Sequence, residues 1–311
     1  MDQIHHNFVT IKEVKLHIAE IGTGSTVVVF LHGFPEIWYS WRHQMVAAAA
    51  AGYRAICPDL RGYGFSDPHP HPQNASFEDF VEDIVGILDF LHIPKAFLVG
   101  KDFGSWVVYL FSLFYPARVA GVVSLGVPFL PPNPMRYRDL PEGFYIFRWK
   151  ESGRAEADFG RFNVKTVLSR IYTLFSRSEI PIAEKDKEIM DMVDESTPRP
   201  PWLTDEDLTV YTTLYEHSGF ESALQVPYRR KHKELGISNP RVEVPVLLII
   251  GGKDYFLKFP GVEDYIKSEK LREFMADLEV ADLADGTHFM QEQFPAQVNH
   301  LLINFLTKHN I

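Results

Sequence analysis

Cysteine is almost absent from this chain of 311 residues, since Cys57 is its only one. A single cysteine excludes an internal disulfide and any metal site built from several cysteines, so a reducing environment is expected. Histidine is more frequent, but no pair of histidines has the H-E-x-x-H spacing of a zinc protease. We therefore expect no metal.

Basic residues and long apolar runs are also scarce. The chain has 31 Lys and Arg against 41 Asp and Glu, a formal net charge of -10. Such a chain is a poor partner for nucleic acid or an anionic membrane. No apolar run reaches the ~18 residues of a membrane-spanning helix, and the N-terminus lacks the pattern of a signal peptide. We expect a cytoplasmic protein, monomeric or homodimeric, that acts on a small molecule.

Short apolar strands alternating with amphipathic helices are what the chain has in quantity. Runs such as TVVVFLHG, AFLVG and VPVLLIIGG are apolar at nearly every position, as strands buried on both faces are. Helical spacing follows in SFEDFVEDIVGILDFL, where Ser76 and Asp79 form a capping box, and later in VEDYIKSEKLREFM. This alternation predicts a doubly wound, mostly parallel α/β sheet.

The middle of the chain has a different character. It is rich in charge, and helical periodicity is clear over 162–175 and 208–215. The segment is too long for a structureless loop in a compact domain. We predict a helical cap, 131–236, inserted into a core formed by 1–130 and 237–311.

The stretch LVGKDFGSWVV places one acid between two glycines where a buried strand ends. Gly100, Asp102 and Gly104 have the spacing of a nucleophile elbow, in which small neighbours permit a sharp turn from strand to helix. An aspartate that only caps a helix would give the same short pattern. Two later residues favour the nucleophile, because Asp254 and His288 follow successive late strands in the order of an α/β-hydrolase triad.

Five segments of the chain together resemble one family. They are HGFPEIWYSWR, RGYGFSDP, GKDFG, GGKDYFLKFPG and GTHFMQEQFP, and they are similar to segments of soluble epoxide hydrolases, most of all the plant ones. The similarity covers essentially the whole chain, including the cap. It implies an α/β-hydrolase fold and an enzyme that converts an epoxide and water to a vicinal diol without cofactor or metal.

The resemblance also implies roles for individual residues. The backbone N–H groups of Phe34 and Phe103 are the expected oxyanion donors, and Tyr145 and Tyr228 of the cap are expected to hydrogen-bond the epoxide oxygen. A phenol suits this task because it stays protonated near neutral pH and can still donate to a stronger base. The substrate pocket is expected to include three residues in or near the HGFP loop: His32, Pro35 and Trp38.

An aspartate nucleophile itself indicates attack on a saturated carbon. A serine attacking such a carbon would form an ether, whereas a carboxylate forms an ester that water can open. His288 would activate that water, and Asp254 would orient the imidazole and stabilise its charged form. The residue type therefore predicts displacement followed by ester hydrolysis.

Two other functions use the same fold. Haloalkane dehalogenases share the aspartate but commonly hold the halide with an indole N–H directly after it, where this chain has Phe103. A non-catalytic small-molecule receptor would need none of the catalytic residues, so the complete set argues against it.

Lys101 is the main departure from the family, which commonly has histidine before the nucleophile. The exchange is either innocuous, with a side chain directed away from the pocket, or it supplies a charge that helps to keep Asp102 ionised. We adopt the first interpretation.

Overall fold

The structure is a computed structural model that describes residues 3–130, 140–229, 237 and 239–310. Its strands are β1 His5–Ile11, β2 Val14–Ile21, β3 Val27–Leu31, β4 Arg54–Pro58, β5 Ala96–Lys101, β6 Val119–Leu125, β7 Val242–Gly251 and β8 Met275–Leu283. They form one sheet in the order β1-β2-β4-β3-β5-β6-β7-β8. The pairs β1–β2 and β2–β4 are antiparallel and the others are parallel. The predicted, mostly parallel sheet is confirmed.

The helices follow the strands much as the periodicity predicts. The α-helices are α1 Arg42–Ala50, α2 Phe77–Phe90, α3 Phe103–Phe114, α4 Tyr145–Lys150, α5 Arg154–Phe159, α6 Val164–Phe175, α7 Asp205–Ser218, α8 Glu221–Leu224, α9 Val262–Lys267, α10 Lys270–Glu273, α11 Met290–Gln293 and α12 Pro295–His309. The capping box of α2 is present, with the Ser76 N–H donating to Asp79 at 2.7 Å. A second box, Thr204 with Asp207, begins α7.

One predicted helix is divided in two. The periodic segment VEDYIKSEKLREFM forms the short helices α9 and α10, and the chain is extended at Ser268, with φ -86° and ψ 155°. The Ser268 hydroxyl donates to the Tyr265 carbonyl oxygen at 2.7 Å. This local bond satisfies a carbonyl at the helix end and competes with continuation of the helix, which hydrophobic spacing does not reveal.

The helices α4 to α8 lie between β6 and β7 in the sequence, and we call residues 140–229 the helical insertion. The predicted cap limits, 131 and 236, fall on residues outside those described, so the division into core and cap stays a prediction. No helix in the described ranges is long and apolar enough to cross a membrane.

A buried polar network joins the insertion to the sheet region. Arg42 of α1 donates to Asp207 of α7 at 2.8 Å and to Glu292 of α11 at 2.7 Å. Tyr211 of α7 donates to the other Glu292 oxygen at 2.7 Å. Paired and hydrogen-bonded in this way, the buried charges fix how α7 sits on the core.

Candidate active site

Asp102 lies at the sharp turn between β5 and α3, with a backbone φ of 52° and ψ of -123°. A non-glycine residue with positive φ is strained by roughly 1 to 3 kcal/mol, and such residues cluster at functional sites. The glycines make the turn possible. A Cβ on Gly100 would lie 2.5 Å from the Gly104 carbonyl oxygen, and one on Gly104 would lie 2.6 Å from the carbonyl carbon of Leu31.

The Asp102 side chain does not act as a cap for α3. Its Oδ1 instead accepts a hydrogen bond from the Phe34 N–H at 3.1 Å, across from the loop that follows β3. Gly33 leaves room for this contact, because a Cβ there would lie 2.8 Å from Cγ of Asp102. The carboxylate is thus directed at the loop after β3.

His288 stands on the other side of the same carboxylate. Its Nε2 lies 3.4 Å from Oδ2 of Asp102, and its Nδ1 lies 3.0 and 3.1 Å from the two oxygens of Asp254. Asp254 is itself held by the Phe256 N–H at 3.0 Å. The three residues expected from the order of the motifs are therefore brought into one connected row, in which Asp254 and His288 are buried and Asp102 is partly exposed.

The charges of this row favour an ion pair. Burial lowers the pKa of His288 and the Lys101 ammonium lowers it further, but Asp254 and Asp102 outweigh both and raise that pKa to about 9. Burial raises the pKa of Asp102, yet His288, Lys101 and the Phe103 N–H together bring it below its ordinary value. Near neutral pH the carboxylate is therefore ionised and faces an imidazolium.

Tyr145 and Tyr228 approach this row from the helical insertion. Tyr145 begins α4, and Tyr228 lies in the turn Gln225–Arg229 that follows α8. Their ring centroids are 6.2 Å apart. The Tyr228 ring packs edge-on at 5.3 Å from Phe103 and 5.9 Å from Phe34, next to both expected oxyanion residues.

The hydroxyl of Tyr228 is a protonated donor near neutral pH. Burial raises its pKa, and the nearby Tyr145 and Asp102 raise it further. The negative charge of Asp102 thus favours the protonated phenol, which can still donate its proton to a stronger base.

A third tyrosine, Tyr255, belongs to the same cluster and was missed by the sequence reasoning. Its hydroxyl oxygen lies 3.2 Å from that of Tyr145, and its ring centroid lies 4.9 Å from that of His288. The signal that could have found it is its position directly after Asp254.

Lys101 is directed away from Asp102 and towards Glu36. Its Nζ donates to Glu36 Oε2 at 2.9 Å, with both side chains buried. Gln291 donates to the other Glu36 oxygen, and the ammonium lies 4.7 Å above the Phe289 ring. The side chain thus points away from Asp102, as the adopted interpretation expects, and its ammonium is the cation of a buried carboxylate. That the exchange with histidine is innocuous stays a prediction.

Both ring nitrogens of His32 form hydrogen bonds with the protein backbone. Its Nδ1 donates to the Gly33 carbonyl oxygen at 2.9 Å, and its Nε2 accepts from the Leu60 N–H at 3.0 Å. Both ring nitrogens are therefore used, and burial lowers the pKa of the imidazole, which keeps it neutral. His32 braces the HGFP loop and offers no nitrogen to a substrate. Pro35 is buried in the same loop, after Phe34.

Trp38, which is expected to line the substrate pocket, lies against residues of β1 and β2, and its place in the substrate pocket stays a prediction. The Trp38 ring packs on His6 and His17, with centroids 4.8 and 6.4 Å away. There it lines a separate, largely apolar surface pocket of about 440 Å³ together with Phe65 and Leu214. The turn Trp38–Trp41 directs this indole to the β1–β2 side of the sheet, which its proximity to HGFP did not reveal.

Among the residues that the structure describes, no group of three or more His, Cys, Asp or Glu side chains is arranged to hold a metal ion.

Known proteins are similar to this chain over nearly its whole length. The α/β-hydrolase fold family matches residues 26–295. Epoxide hydrolase 2 of Siraitia grosvenorii is 36% identical, over 99% of this chain and 100% of its own length. A crystal structure of an epoxide hydrolase from Vigna radiata, 35% identical, superposes with a TM-score of 0.92 and covers 99% of both chains.

Potato epoxide hydrolase I (Solanum tuberosum), at 32% identity, gives a TM-score of 0.89 over 98% of this chain and 99% of its own. The resemblance found in the sequence motifs is thereby confirmed. The chain belongs to the epoxide hydrolases of the α/β-hydrolase fold.

Proposed function

We propose that this protein hydrolyses epoxides to vicinal diols in two steps, through a covalent ester on Asp102. One observation carries the proposal: the aspartate on a strained turn lies between a backbone N–H donor and the His288 ring. The Tyr228 ring packs on Phe34 and Phe103 beside it, with the Tyr145 ring 6.2 Å from that of Tyr228. Aspartate is the nucleophile suited to a saturated carbon, and tyrosine is the acid suited to an alkoxide.

In the first step, Oδ2 of Asp102 attacks a ring carbon, since Oδ1 is already engaged by the Phe34 N–H. A C–O bond forms to that carbon, the epoxide C–O bond breaks, and its electron pair goes to the epoxide oxygen. Tyr145 and Tyr228 hydrogen-bond this oxygen and supply its proton. General acids of this kind contribute roughly 10² to 10⁴ in rate.

In the second step, water attacks Cγ of Asp102. Formation of the ester removes the negative charge of Asp102, which is one cause of the raised pKa of His288, while Lys101 and burial continue to lower it. The imidazolium therefore gives up its proton, which restores the tyrosine, and the neutral ring becomes the base for water. His288 takes a proton from the water as its oxygen bonds to Cγ, and the N–H groups of Phe34 and Phe103 stabilise the oxyanion on Oδ1. Collapse of this oxyanion breaks the Cγ–Oδ2 bond, and the departing diol oxygen takes the proton from His288. The new carboxyl of Asp102 then returns a proton to His288, which restores the starting ion pair.

The test is a single turnover in water enriched in heavy oxygen. We expect the diol of the first turnover to carry no label, because its new oxygen comes from Asp102, and label to appear in Asp102 itself. A labelled diol on the first turnover would contradict the covalent route and favour direct attack by water.

A substrate panel distinguishes the other functions of the fold. We expect epoxides to be turned over in preference to haloalkanes and p-nitrophenyl esters, because the Phe103 side chain has no donor for a halide and position 102 is not serine. Preference for haloalkanes would favour a dehalogenase, and inertness towards all three a receptor. The cytoplasmic location and the monomeric or homodimeric state stay predictions.

A further inference from the structure

Tyr255 touches both the acid and the base of the proposed site but has no role in the two steps above. We infer that Tyr255 is a positioning residue for ring opening: its hydroxyl donates to the Tyr145 oxygen, directs the Tyr145 proton to the epoxide, and stabilises the phenolate that forms. This inference rests on the proposed function.

The position of Tyr255 is fixed by the triad itself. It is the first residue of the turn Tyr255–Lys258, and Asp254 caps that turn through the Phe256 N–H. Its ring is held between His288, at 4.9 Å, and Phe175 of the insertion, at 5.1 Å. With the side chain only 3% exposed, little freedom is left for the hydroxyl to leave Tyr145.

The two hydroxyl oxygens, 3.2 Å apart, share one hydrogen bond whose donor is set by charge. Burial raises the pKa of Tyr255, and Tyr145 and Asp102 raise it further, so Tyr255 keeps its proton and remains able to donate. When Tyr145 gives its proton to the epoxide oxygen, its own oxygen gains negative charge. A hydrogen bond to a charged oxygen is roughly twice as strong as one between neutral groups. The bond from Tyr255 therefore strengthens as the ring opens.

The experiment compares Tyr255→Phe in two backgrounds, the natural chain and Tyr145→Phe, by stopped-flow measurement of alkylation with an epoxide that the natural chain turns over. Phenylalanine keeps the ring on His288 and removes only the hydroxyl. In the natural background we expect the alkylation rate constant to fall about ten-fold, since one hydrogen bond to a developing charge is lost. The half-saturation concentration and the rate of ester hydrolysis should be unchanged.

In the Tyr145→Phe background the same substitution should change alkylation less than about two-fold, because the oxygen that Tyr255 serves is already gone. The matched control is Tyr115→Phe. Tyr115 follows the C-terminal end of α3, and its hydroxyl donates to Glu82 of α2, so its loss should alter neither step.

Three results would overturn the inference. They are an unchanged alkylation rate in Tyr255→Phe, an equal loss in both backgrounds, which would mean that Tyr255 acts on the substrate directly, and an equal slowing of ester hydrolysis, which would mean a packing role on His288. Failure of the proposed function looks different, because then the natural chain itself would form no alkyl-enzyme.

Discussion

The two sides of the active site are held together in different ways. On the core side, Asp102, Asp254 and His288 follow strands of one sheet and are joined by direct polar contacts of 3.0 to 3.4 Å. On the insertion side, Tyr145 and Tyr228 sit on short helical turns and meet each other through their rings. In the proposed mechanism the sheet side holds the nucleophile and the base, while the insertion supplies the acids, so the two chemical steps should be separable by mutation.

The largest effect is expected on the core side. His288→Gln should reduce turnover by about 10⁴-fold, because no base remains to activate water on the ester. Alkylation should continue, so the protein should gain the mass of one substrate, measured by mass spectrometry of the intact chain. His300→Gln, on the exposed face of α12, is the control. Full turnover without an adduct would place the base elsewhere.

The matching change on the insertion side is Tyr145→Phe combined with Tyr228→Phe. We expect the alkylation rate to fall by about 10³-fold, since both donors to the epoxide oxygen are lost. No adduct should accumulate in single-turnover mass spectra, the opposite of His288→Gln. Undiminished epoxide opening in this double variant would assign the acid to the core and remove the contrast between the two sides.

Arg42→Met tests the buried polar network that links the helical insertion to the sheet region. Removal of the guanidinium leaves Asp207 and Glu292 without their buried cation, so we expect a loss of about 4 kcal/mol of unfolding free energy. Hydrogen exchange should rise first in α7, which the network fastens to the core. Lys267→Gln, which breaks an exposed pair with Glu263, should leave both measurements unchanged. Equal exchange across the chain would mean that the regions open as one unit.

The pH dependence of stability should also be set by a residue of the sheet side, His288. The pKa of His288 is raised from 6.5 to about 9 on folding, so its stabilising contribution is complete below pH 6.5 and is lost as pH rises to 9. The stability of the natural chain relative to His288→Gln should therefore fall by about 3 kcal/mol over this range. Chemical denaturation of both proteins at each pH measures the difference, and a constant difference would contradict the ion pair.

The smallest change is expected for Lys101→His, which can still place a cation beside Glu36. Turnover should stay within about two-fold near neutral pH, because a protonated imidazole at this position meets the same carboxylate. Lys101→Met removes the charge that helps to hold the pKa of Asp102 low, so the acidic limb of alkylation should move to higher pH. An identical pH profile in both variants would show that this charge does not reach the nucleophile.

Local patterns predicted the sheet, the elbow and the order of the triad, because each can be inferred from short segments that adjoin an apolar run. The missed features are contacts between distant residues. Arg42 pairs with Glu292, 250 positions later, and the Tyr255 hydroxyl meets that of Tyr145, 110 positions earlier. Periodicity reports which face of a helix or strand is buried, but it does not identify the partner of a buried polar group.

The close approach of Gly33 to Asp102 has a consequence for the speed of the first step. Because Gly33 has no side chain, the carboxylate fits against the loop. The strained backbone at Asp102 fixes the direction in which its side chain leaves the turn. Its rotational entropy is therefore given up when the chain folds and not when the epoxide binds. An incoming substrate meets a nucleophile that is already aimed, so the barrier contains little cost for bringing the two atoms into line.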